Sequence, residues 1–583
     1  MNQPTPAIVA QSAVRRLPRW SLLLLCLAYV VPGYVLRGPW RSSDMEAFGY
    51  MREMALGQSS WLQPQLAGLA PSFDGLLPYW AGALSMQLLQ GLLGPETAAR
   101  LPFVTMLVVT LVATWWGAYY LARAPGAQPV SFAFGGEARV TDYARALADG
   151  ALLALVACLG LAQPSHETTN YVFQLGFVTL LFFAAAAMPY HALKAGAAML
   201  LGCCGLALSG APTLALALGL GSGVIALLSL SWGDEARRNP RQARLWALAW
   251  LTATALAAAL AAALGQWAWR IVDAQSAKEW QSLLQLLLWF CWPAWPLALW
   301  SLWVWRRQAA RPLHNPHLSI ALWFALVPLV ATFTTQPADR ALLLALPAIA
   351  TLAAFALPTL RRSISALIDW FTLLLFSILA ITIWVVWLSL QTGFPAKTAA
   401  NLARLAPHFS ADWQWGIFLV ALAASLFWIA LVVWRTSRNR AAIWKSLVLP
   451  ASGAALGWLL ITTLWMPVLD HARSYEYQMH EVATHLPAEP AGCVHTYGLA
   501  RPQIAALRYY TGVRTELLLK GQAPRCQWLV VDKGRWDEPG QQAMRAQWAP
   551  LAQVNRPTER NEQLLIARQA THTPRGNGAS SRP

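Results

Sequence analysis

Long apolar runs follow one another along most of the 583-residue chain and stop near position 467. A helix needs about 20 apolar residues to cross the hydrocarbon core of a bilayer. The runs have about that length, so each one predicts a transmembrane helix. There are thirteen of them, at approximately 20–36, 101–122, 146–163, 172–188, 195–210, 212–231, 246–268, 283–305, 318–335, 341–359, 366–390, 415–434 and 446–466.

The basic residues between the runs predict the orientation of the chain. The first run follows three arginines and precedes no small-residue cleavage site, which indicates a signal anchor with a cytoplasmic N-terminus. Loops that this start places inside are rich in cations, and the short loops on the other side hold few. The bias agrees with the positive-inside rule. An odd number of spans then puts the C-terminus in the periplasm, with the chain in a bacterial inner membrane.

Two polar regions are predicted on the periplasmic side. One is the first loop, 37–100, which we assign with the spans to a transmembrane domain over 1–467. The other is the segment 468–570, where helix-like stretches (475–486, 501–511) alternate with strand-like runs (492–497, 527–532, 563–567). This mix predicts a small α/β domain. The last residues, 571–583, are polar and predicted to be disordered. The predicted fold is therefore a mainly α, polytopic membrane protein with a small C-terminal α/β periplasmic domain.

Composition excludes other classes of protein. Hydrophobic residues make up 57% of the chain and charged residues 12%, against about 25% charged in soluble domains. A cytosolic enzyme or a disordered protein does not have this balance. The net charge of +17 is explained by topology signals, so we expect membrane lipids and no nucleic acid as partners.

Two of the seven cysteines lie in the polar C-terminal region. Cys493 and Cys526 each open a strand-like run. In an oxidising periplasm they could form a disulfide. The alternative is a pair of free, buried thiols.

Two acids, Asp44 and Glu46, directly follow the first span. A carboxylate at the membrane surface can act as a general base or hold a divalent cation against a phosphate. The alternative is a helix start, with Ser43 or Asp44 as N-cap and Glu46 in the first turn.

The second periplasmic loop contains His166 and Glu167. Glu167 is a candidate second acid, and His166 could bind a metal as neutral imidazole. A polar helix-capping loop is the alternative. Arg270 and Arg340 are among the few cations on this side, and a guanidinium can bind a phosphodiester bidentately. Snorkelling towards headgroups, or a local pair of Arg340 with Asp339, would also explain them.

The first loop carries a resemblance to a known family. An acid follows the first span, then come Trp61-Leu-Gln-Pro64, Asp74 before Pro78-Tyr79-Trp80, and Ala99-Arg100-Leu101-Pro102 at the second span. This order resembles the GT-C membrane glycosyltransferases, in the bacterial family that includes the lipid A aminoarabinose transferase and relatives of the protein O-mannosyltransferases. The plan of about thirteen spans and a C-terminal periplasmic domain is similar too.

The resemblance implies roles for individual residues. Asp44 falls on the family's catalytic acid, and Glu167 is the candidate for its second acid. Glu46, Asp74 and Tyr79 are implied to bind substrate. The chain departs from the family's pattern at three places. Met45 stands in place of the second acid, Ala47 in place of an arginine, and Gly75 in place of a lysine expected to touch the lipid phosphate.

The implied reaction is an inverting transfer of a sugar from a polyprenyl phosphate to a periplasmic acceptor such as a lipid A phosphate. Asp44 is expected to activate the acceptor, and Arg270 and Arg340 to stabilise the departing phosphate. Asp74, with His166 or Glu167, is expected to position the acceptor or a divalent metal ion. The alternatives are a transporter or flippase of lipid-linked sugar and an inactive GT-C scaffold.

Overall fold

The computed structural model describes residues 5–72, 74–229, 239–267, 277–311, 314–436, 442–487, 493–519 and 523–570. These residues form two compact units. The helical unit comprises Met1–Arg37, Ser72–Ala399 and Ala411–Pro467. The sheet unit comprises Gly38–Pro71, Ala400–Ser410 and Val468–Pro583.

Helices dominate the described chain. In chain order they are α1 (Arg19–Val30), α2 (Ser43–Ala55), α3 (Leu77–Leu93), α4 (Pro95–Arg123), α5 (Val140–Ala157), α6 (Asn170–Ala187), α7 (Ala192–Leu208), α8 (Pro212–Leu228), α9 (Pro240–Ala263), α10 (Ala277–Phe290), α11 (Ala294–Val304), α12 (Arg306–Ala309), α13 (Pro316–Thr334), α14 (Ala338–Leu343), α15 (Leu346–Ala356), α16 (Arg362–Thr392), α17 (Ala396–Leu405), α18 (Trp415–Thr436), α19 (Val448–Leu464), α20 (Met466–Arg473), α21 (Glu476–His485), α22 (Arg501–Thr511), α23 (Lys533–Asp537) and α24 (Gln542–Gln547).

Apolar helices of the helical unit occupy the predicted spans. Within the described ranges, seven helices are long and apolar enough to cross a membrane. Two further apolar pairs are bent at a short break, by 65° after α5 and by 84° between α10 and α11. Together with four shorter apolar helices, they coincide one for one with the thirteen runs. The prediction of a mainly α, polytopic membrane protein is confirmed.

The bends lie where the backbone loses regular helical bonding. Pro293 stands at the break between α10 and α11, and a proline has no N–H to donate. After α5 the chain continues in two short 3₁₀ turns, Leu159–Leu161 and Pro164–His166. The second turn leads into the loop that carries Glu167.

The sheet unit contains five strands. They are β1 (Val494–Tyr497), β2 (Thr515–Leu517), β3 (Trp528–Asp532), β4 (Trp548–Arg556) and β5 (Glu559–Gln569). Their order in the sheet is β2-β1-β3-β5-β4. β1 runs parallel to β2 and β3, while β5 is antiparallel to β3 and β4. α22 makes the crossover from β1 to β2, as parallel neighbours require.

The small C-terminal α/β fold is therefore confirmed, with two strands that the sequence did not predict. α21, α22, β1, β3 and β5 coincide with predicted elements, whereas β2 and β4 do not. β3, β4, β5 and α23 share a hydrophobic core, which contains Leu529, Val531, Trp536, Trp548 and Leu565. Cys493 and Cys526 form a disulfide that joins the start of β1 to the chain before β3.

Part of the first loop belongs to the sheet unit. α2 packs against α22, where the Phe48 and Tyr509 rings lie 4.9 Å apart. A Cβ at Gly49 would lie 2.5 Å from the Cβ of Ala505, so this close contact requires glycine. The packing fixes the helix that carries Asp44 on the C-terminal domain.

Candidate functional site

Asp44 lies in the first turn of α2 and is buried, as is Glu46. The Trp40 backbone N–H donates to Asp44 Oδ2 at 3.0 Å. The residue before the helix is Ser42, at φ 74°, and it makes no side-chain cap bond. The alternative of a helix start is therefore confirmed, with Glu46 in the first turn, but its N-cap is Ser42 and not Ser43 or Asp44. An acid in a first helical turn is stabilised by the positive end of the helix dipole.

A second carboxylate shares Trp40 with Asp44. Asp470 Oδ1 accepts from the Trp40 indole N–H at 2.9 Å and from the Gly38 N–H at 3.0 Å. The Arg473 guanidinium lies 4.8 Å from the centre of the Trp40 ring. The sequence analysis did not single out Trp40 or Asp470. One signal could have found Asp470, because it directly follows the last apolar run as Asp44 follows the first.

A charge network supports the segment that leads to Asp44. Arg41 Nη1 lies 2.7 Å from Glu559 Oε1 and 3.7 Å from Glu562 Oε1. Glu562 also pairs with buried Arg556 at 2.6 Å. Burial raises the pKa of neighbouring Tyr475 to about 12, and the negative charge of Glu562 adds to the shift. The β4–β5 hairpin thereby holds the chain just before α2.

In the helical unit, the structure brings Glu167 and Arg340 together. Glu167 Oε2 lies 2.5 Å from Arg340 Nη2, and both side chains are largely buried. Asp339 Oδ2 lies 2.7 Å from Arg340 Nη1. The Gln163 amide donates to the other oxygen of Glu167 at 3.3 Å. The guanidinium is thus held from two sides, and its local pair with Asp339 is one of two contacts.

His166 is buried in the same loop, and its surroundings do not favour metal binding. Its Nδ1 lies 2.5 Å from the Ala162 carbonyl oxygen and its Nε2 lies 3.1 Å from the Tyr29 carbonyl oxygen. The ring also packs against Tyr34, with centroids 4.8 Å apart. Since both nitrogens face backbone carbonyls, this environment favours a structural His166 over the predicted metal ligation.

Asp74 precedes a tight contact between two chain segments. Its carbonyl oxygen accepts from Asn170 Nδ2 at 2.5 Å. Gly75 has φ +117°, and a Cβ there would lie 2.6 Å from the Ser209 carbonyl carbon. The position that the resemblance assigns to lysine therefore has room for glycine alone. Tyr79 follows, buried near the start of α3.

Two buried arginines to which the sequence analysis gave no role organise the Glu167 loop. Arg37 donates to the Gly33 carbonyl at 3.0 Å and to the His166 carbonyl at 2.7 Å. Arg100 donates to the Arg37 carbonyl at 2.7 Å. Tyr34 adds a bond from its hydroxyl to the Ser165 carbonyl at 2.6 Å. Arginine beside an apolar run looks like a topology signal, and here its donors bind backbone instead.

The last predictions concern Arg270 and a metal site. Arg270 lies outside the described residues. Within the described ranges, the group with three metal-type ligands close together is Cys493, Glu516 and Cys526, where the disulfide already uses both sulfurs. Asp74 and His166 belong to no such group in that part of the chain.

Comparisons with known proteins identify the fold. The chain matches no protein-family model and no curated protein. It is similar to the crystal structure of ArnT from Cupriavidus metallidurans bound to undecaprenyl phosphate, with a TM-score of 0.62 and 15% identity, over 95% of this chain and 98% of that one. The apo structure of that ArnT gives a TM-score of 0.60 at 15% identity, over 94% and 98%. The predicted GT-C resemblance is therefore confirmed at the level of the fold.

Proposed function

We propose that this chain is a membrane glycosyltransferase that takes its sugar from a polyprenyl phosphate. The observation that carries the proposal is the shared fold with ArnT over 95% of the chain. One of the two ArnT structures holds undecaprenyl phosphate. The acids and arginines described above supply the chemistry that such a transfer needs.

Asp44 is the proposed general base. The Trp40 backbone N–H donates to its carboxylate, and this hydrogen bond orients the group. In an inverting displacement the acceptor oxygen forms a bond to the anomeric carbon as the bond to the donor phosphate breaks. The acceptor proton goes to Asp44, and polyprenyl phosphate leaves. Removal of that proton as the bond forms is general base catalysis.

Arg340 is the proposed cation for the donor phosphate. A guanidinium has five N–H donors, and the described carboxylate contacts of Arg340 involve Nη1 and Nη2. Glu167 and Asp339 would orient the group while further donors face the phosphate. Because Gly75 excludes a lysine at its position, we assign the compensating charge to Arg340 and Arg270. Asp74, Glu46 and Tyr79 would position the acceptor or a divalent metal.

The proposed acceptor is a lipid A phosphate or another envelope glycan on the periplasmic side of the inner membrane. The distribution of arginines supports an inward N-terminus and an outward C-terminus. One observation favours the alternative of an inactive scaffold. The glycine that excludes the lysine at position 75 is what an inactive GT-C scaffold would show.

Mass spectrometry of envelope lipids tests the proposal in three strains: with the gene, without it, and with Asp44→Asn. We expect a sugar-sized mass increment on an envelope lipid or glycan with the intact gene alone. Accumulation of a polyprenyl-phosphate sugar in the other two strains would identify the donor. Identical envelope and donor profiles in all three strains would favour the inactive scaffold.

A further inference from the structure

The sheet unit contains a polar cavity whose walls have no part in the proposed transfer. Its volume is about 600 Å³. The walls come from the C-terminal half of α2 and the loop after it, and from α22 with the chain that leads into β2. The charged side chains that line it are Arg52, Glu53, Arg508, Arg514 and Glu516.

A buried ion pair is part of the lining of this cavity. Glu53 Oε2 lies 2.9 Å from Arg508 Nη2, with side-chain exposures of 3% and 14%. Arg508 also donates to Gln58 Oε1 at 3.0 Å. A guanidinium held at two points has lost its rotational freedom before any ligand arrives, which reduces the entropic cost of binding.

Positive charge predominates in the cavity. Burial lowers the pKa of Arg508, and the charges of Arg52 and Arg514 lower it further, while Glu53 opposes them. Burial likewise raises the pKa of Glu53, against the attraction of Arg508 and Arg52. Arg52 and Arg514 therefore each lie close enough to repel Arg508, and two carboxylates line the same cavity. An anion would relieve that repulsion.

The other two arginines are placed to meet a ligand. Arg52 is half-buried, with its guanidinium 5.2 Å from the centre of the Tyr509 ring. Arg514 is exposed and directly precedes β2. Guanidiniums bind phosphate and carboxylate oxygens bidentately. The amides of Gln58 and Gln65 also line the space and offer hydrogen bonds to hydroxyl groups.

We propose that this cavity binds an anionic sugar, one that carries a phosphate or carboxylate group. Its volume exceeds that of an inorganic anion and lies in the range of small-molecule sites. The neutral amides suit hydroxyl groups while the arginines suit the charge. That the sugar is part of the transfer acceptor rests on the proposed function, whereas the binding itself does not.

Isothermal titration calorimetry on the full chain in detergent micelles tests the proposal. The probes are glucose 1-phosphate, glucuronic acid, glucose and inorganic phosphate. We expect the two charged sugars to bind more tightly than glucose or phosphate. Arg514→Gln and Arg52→Gln should each weaken charged-sugar binding about tenfold, the loss of one charge-assisted hydrogen bond. Glu516→Gln removes a negative charge from the wall and should tighten binding.

Arg568→Gln is the matched control, because Arg568 is an exposed arginine of the same unit that lies 5.8 Å from the Trp528 ring. It should leave binding unchanged. Equal binding of glucose, or no opposite effect of Arg514→Gln and Glu516→Gln, would overturn the proposal. Binding of phosphate as tight as that of glucose 1-phosphate would remove the sugar from it. Binding should persist in Asp44→Asn, because Asp44 does not line the cavity. If the wild-type chain bound the charged sugars and transferred no sugar, the transferase proposal alone would fail.

Discussion

The two candidate acids lie in different units, and the contacts described for them differ. Asp44, in the sheet unit, accepts a hydrogen bond from the neutral N–H of Trp40 at 3.0 Å. Glu167, in the helical unit, lies 2.5 Å from the Arg340 guanidinium. The sequence analysis treated them as a first and a second acid of one kind. Their described partners make them chemically different.

That difference assigns different work to each acid. A general base must keep its negative charge and an accessible lone pair until the acceptor arrives. A carboxylate in a largely buried ion pair has its charge compensated, and its removal leaves an unpaired guanidinium. We therefore expect Glu167 to act on Arg340, whereas Asp44 keeps the role of general base that the resemblance implies.

The largest expected effect is that of Asp44→Asn on the transfer rate. If this variant kept wild-type activity, the comparison between the two acids would fail. The amide oxygen can still accept from the Trp40 N–H, so folding should be unchanged. Loss of the base should lower the transfer rate by about 100-fold or more. A transfer assay with a polyprenyl-phosphate sugar measures the rate, and Asp537→Asn, a partly exposed acid of the same unit, is the control. Wild-type turnover in Asp44→Asn would exclude Asp44 as the base.

Removal of Glu53 asks whether an ion pair in the sheet unit serves stability. Glu53→Ala leaves Arg508 without its described carboxylate partner in a buried place. Breaking such a pair should cost about 3 kcal/mol of unfolding free energy. Chemical denaturation in micelles measures it. Glu538→Ala, which breaks the exposed pair with Arg535, should change stability little, and an equal loss in both variants would contradict the prediction.

A double-mutant cycle sharpens the comparison on the side of Glu167. Glu167→Gln and Arg340→Gln should each raise the KM for the donor, because each disturbs the proposed phosphate site. Their effects on unfolding free energy should be coupled by about 1–2 kcal/mol. Thermal denaturation and transfer kinetics of the two single variants and the double variant measure both quantities. Additive effects would show that the pair does not act as a unit.

The smallest effect is a pH dependence that belongs to the fold and not to Asp44. His495 Nε2 accepts from the backbone N–H groups of Arg525 and Cys526, at 2.9 and 3.1 Å. Burial lowers the pKa of His495, aided by Arg525 and opposed by Glu516.

Since the folded pKa lies below the unfolded value near 6.5, the unfolded chain binds more protons between the two. Stability contributed by His495 is then complete above about pH 6.5 and decreases as the pH drops below it. Unfolding measured at pH 7.5 and pH 5.5 checks this. His495→Gln should flatten the dependence, and His485→Gln, an exposed histidine, should not.

The spans could be predicted from sequence because apolar runs of membrane length have few other uses. Bends within the runs could not. The run 146–163 is unbroken in hydropathy, yet α5 ends at Ala157. Strand β4 also escaped prediction, because Pro550 interrupts its pattern and its register shifts beside that proline.

The candidate site could be predicted only as a set of residue types. Asp44, Glu167 and Arg340 stand out because charged residues are few at that side of the spans. Contacts to the backbone around them do not stand out: Trp40 contributes a backbone N–H to Asp44. Arg37 donates to the carbonyl of His166, next to Glu167, and Arg100 to the carbonyl of Arg37. Backbone partners leave no mark in a side-chain pattern. The sequence shows Gly75 only as the absence of the family's lysine. The structure shows that a side chain at this position would collide with the Ser209 backbone.

The buried arginines also impose an order on biosynthesis. Arg37 finds a carbonyl partner in His166, which is 129 residues later in the chain. At about 5–20 residues per second, the ribosome needs roughly 6–26 s to make that stretch. During that interval the His166 carbonyl, which accepts from Arg37 in the folded protein, has not yet been made. The loop that carries Glu167 can therefore close only after residue 166 has been made, within the first third of the 583-residue chain.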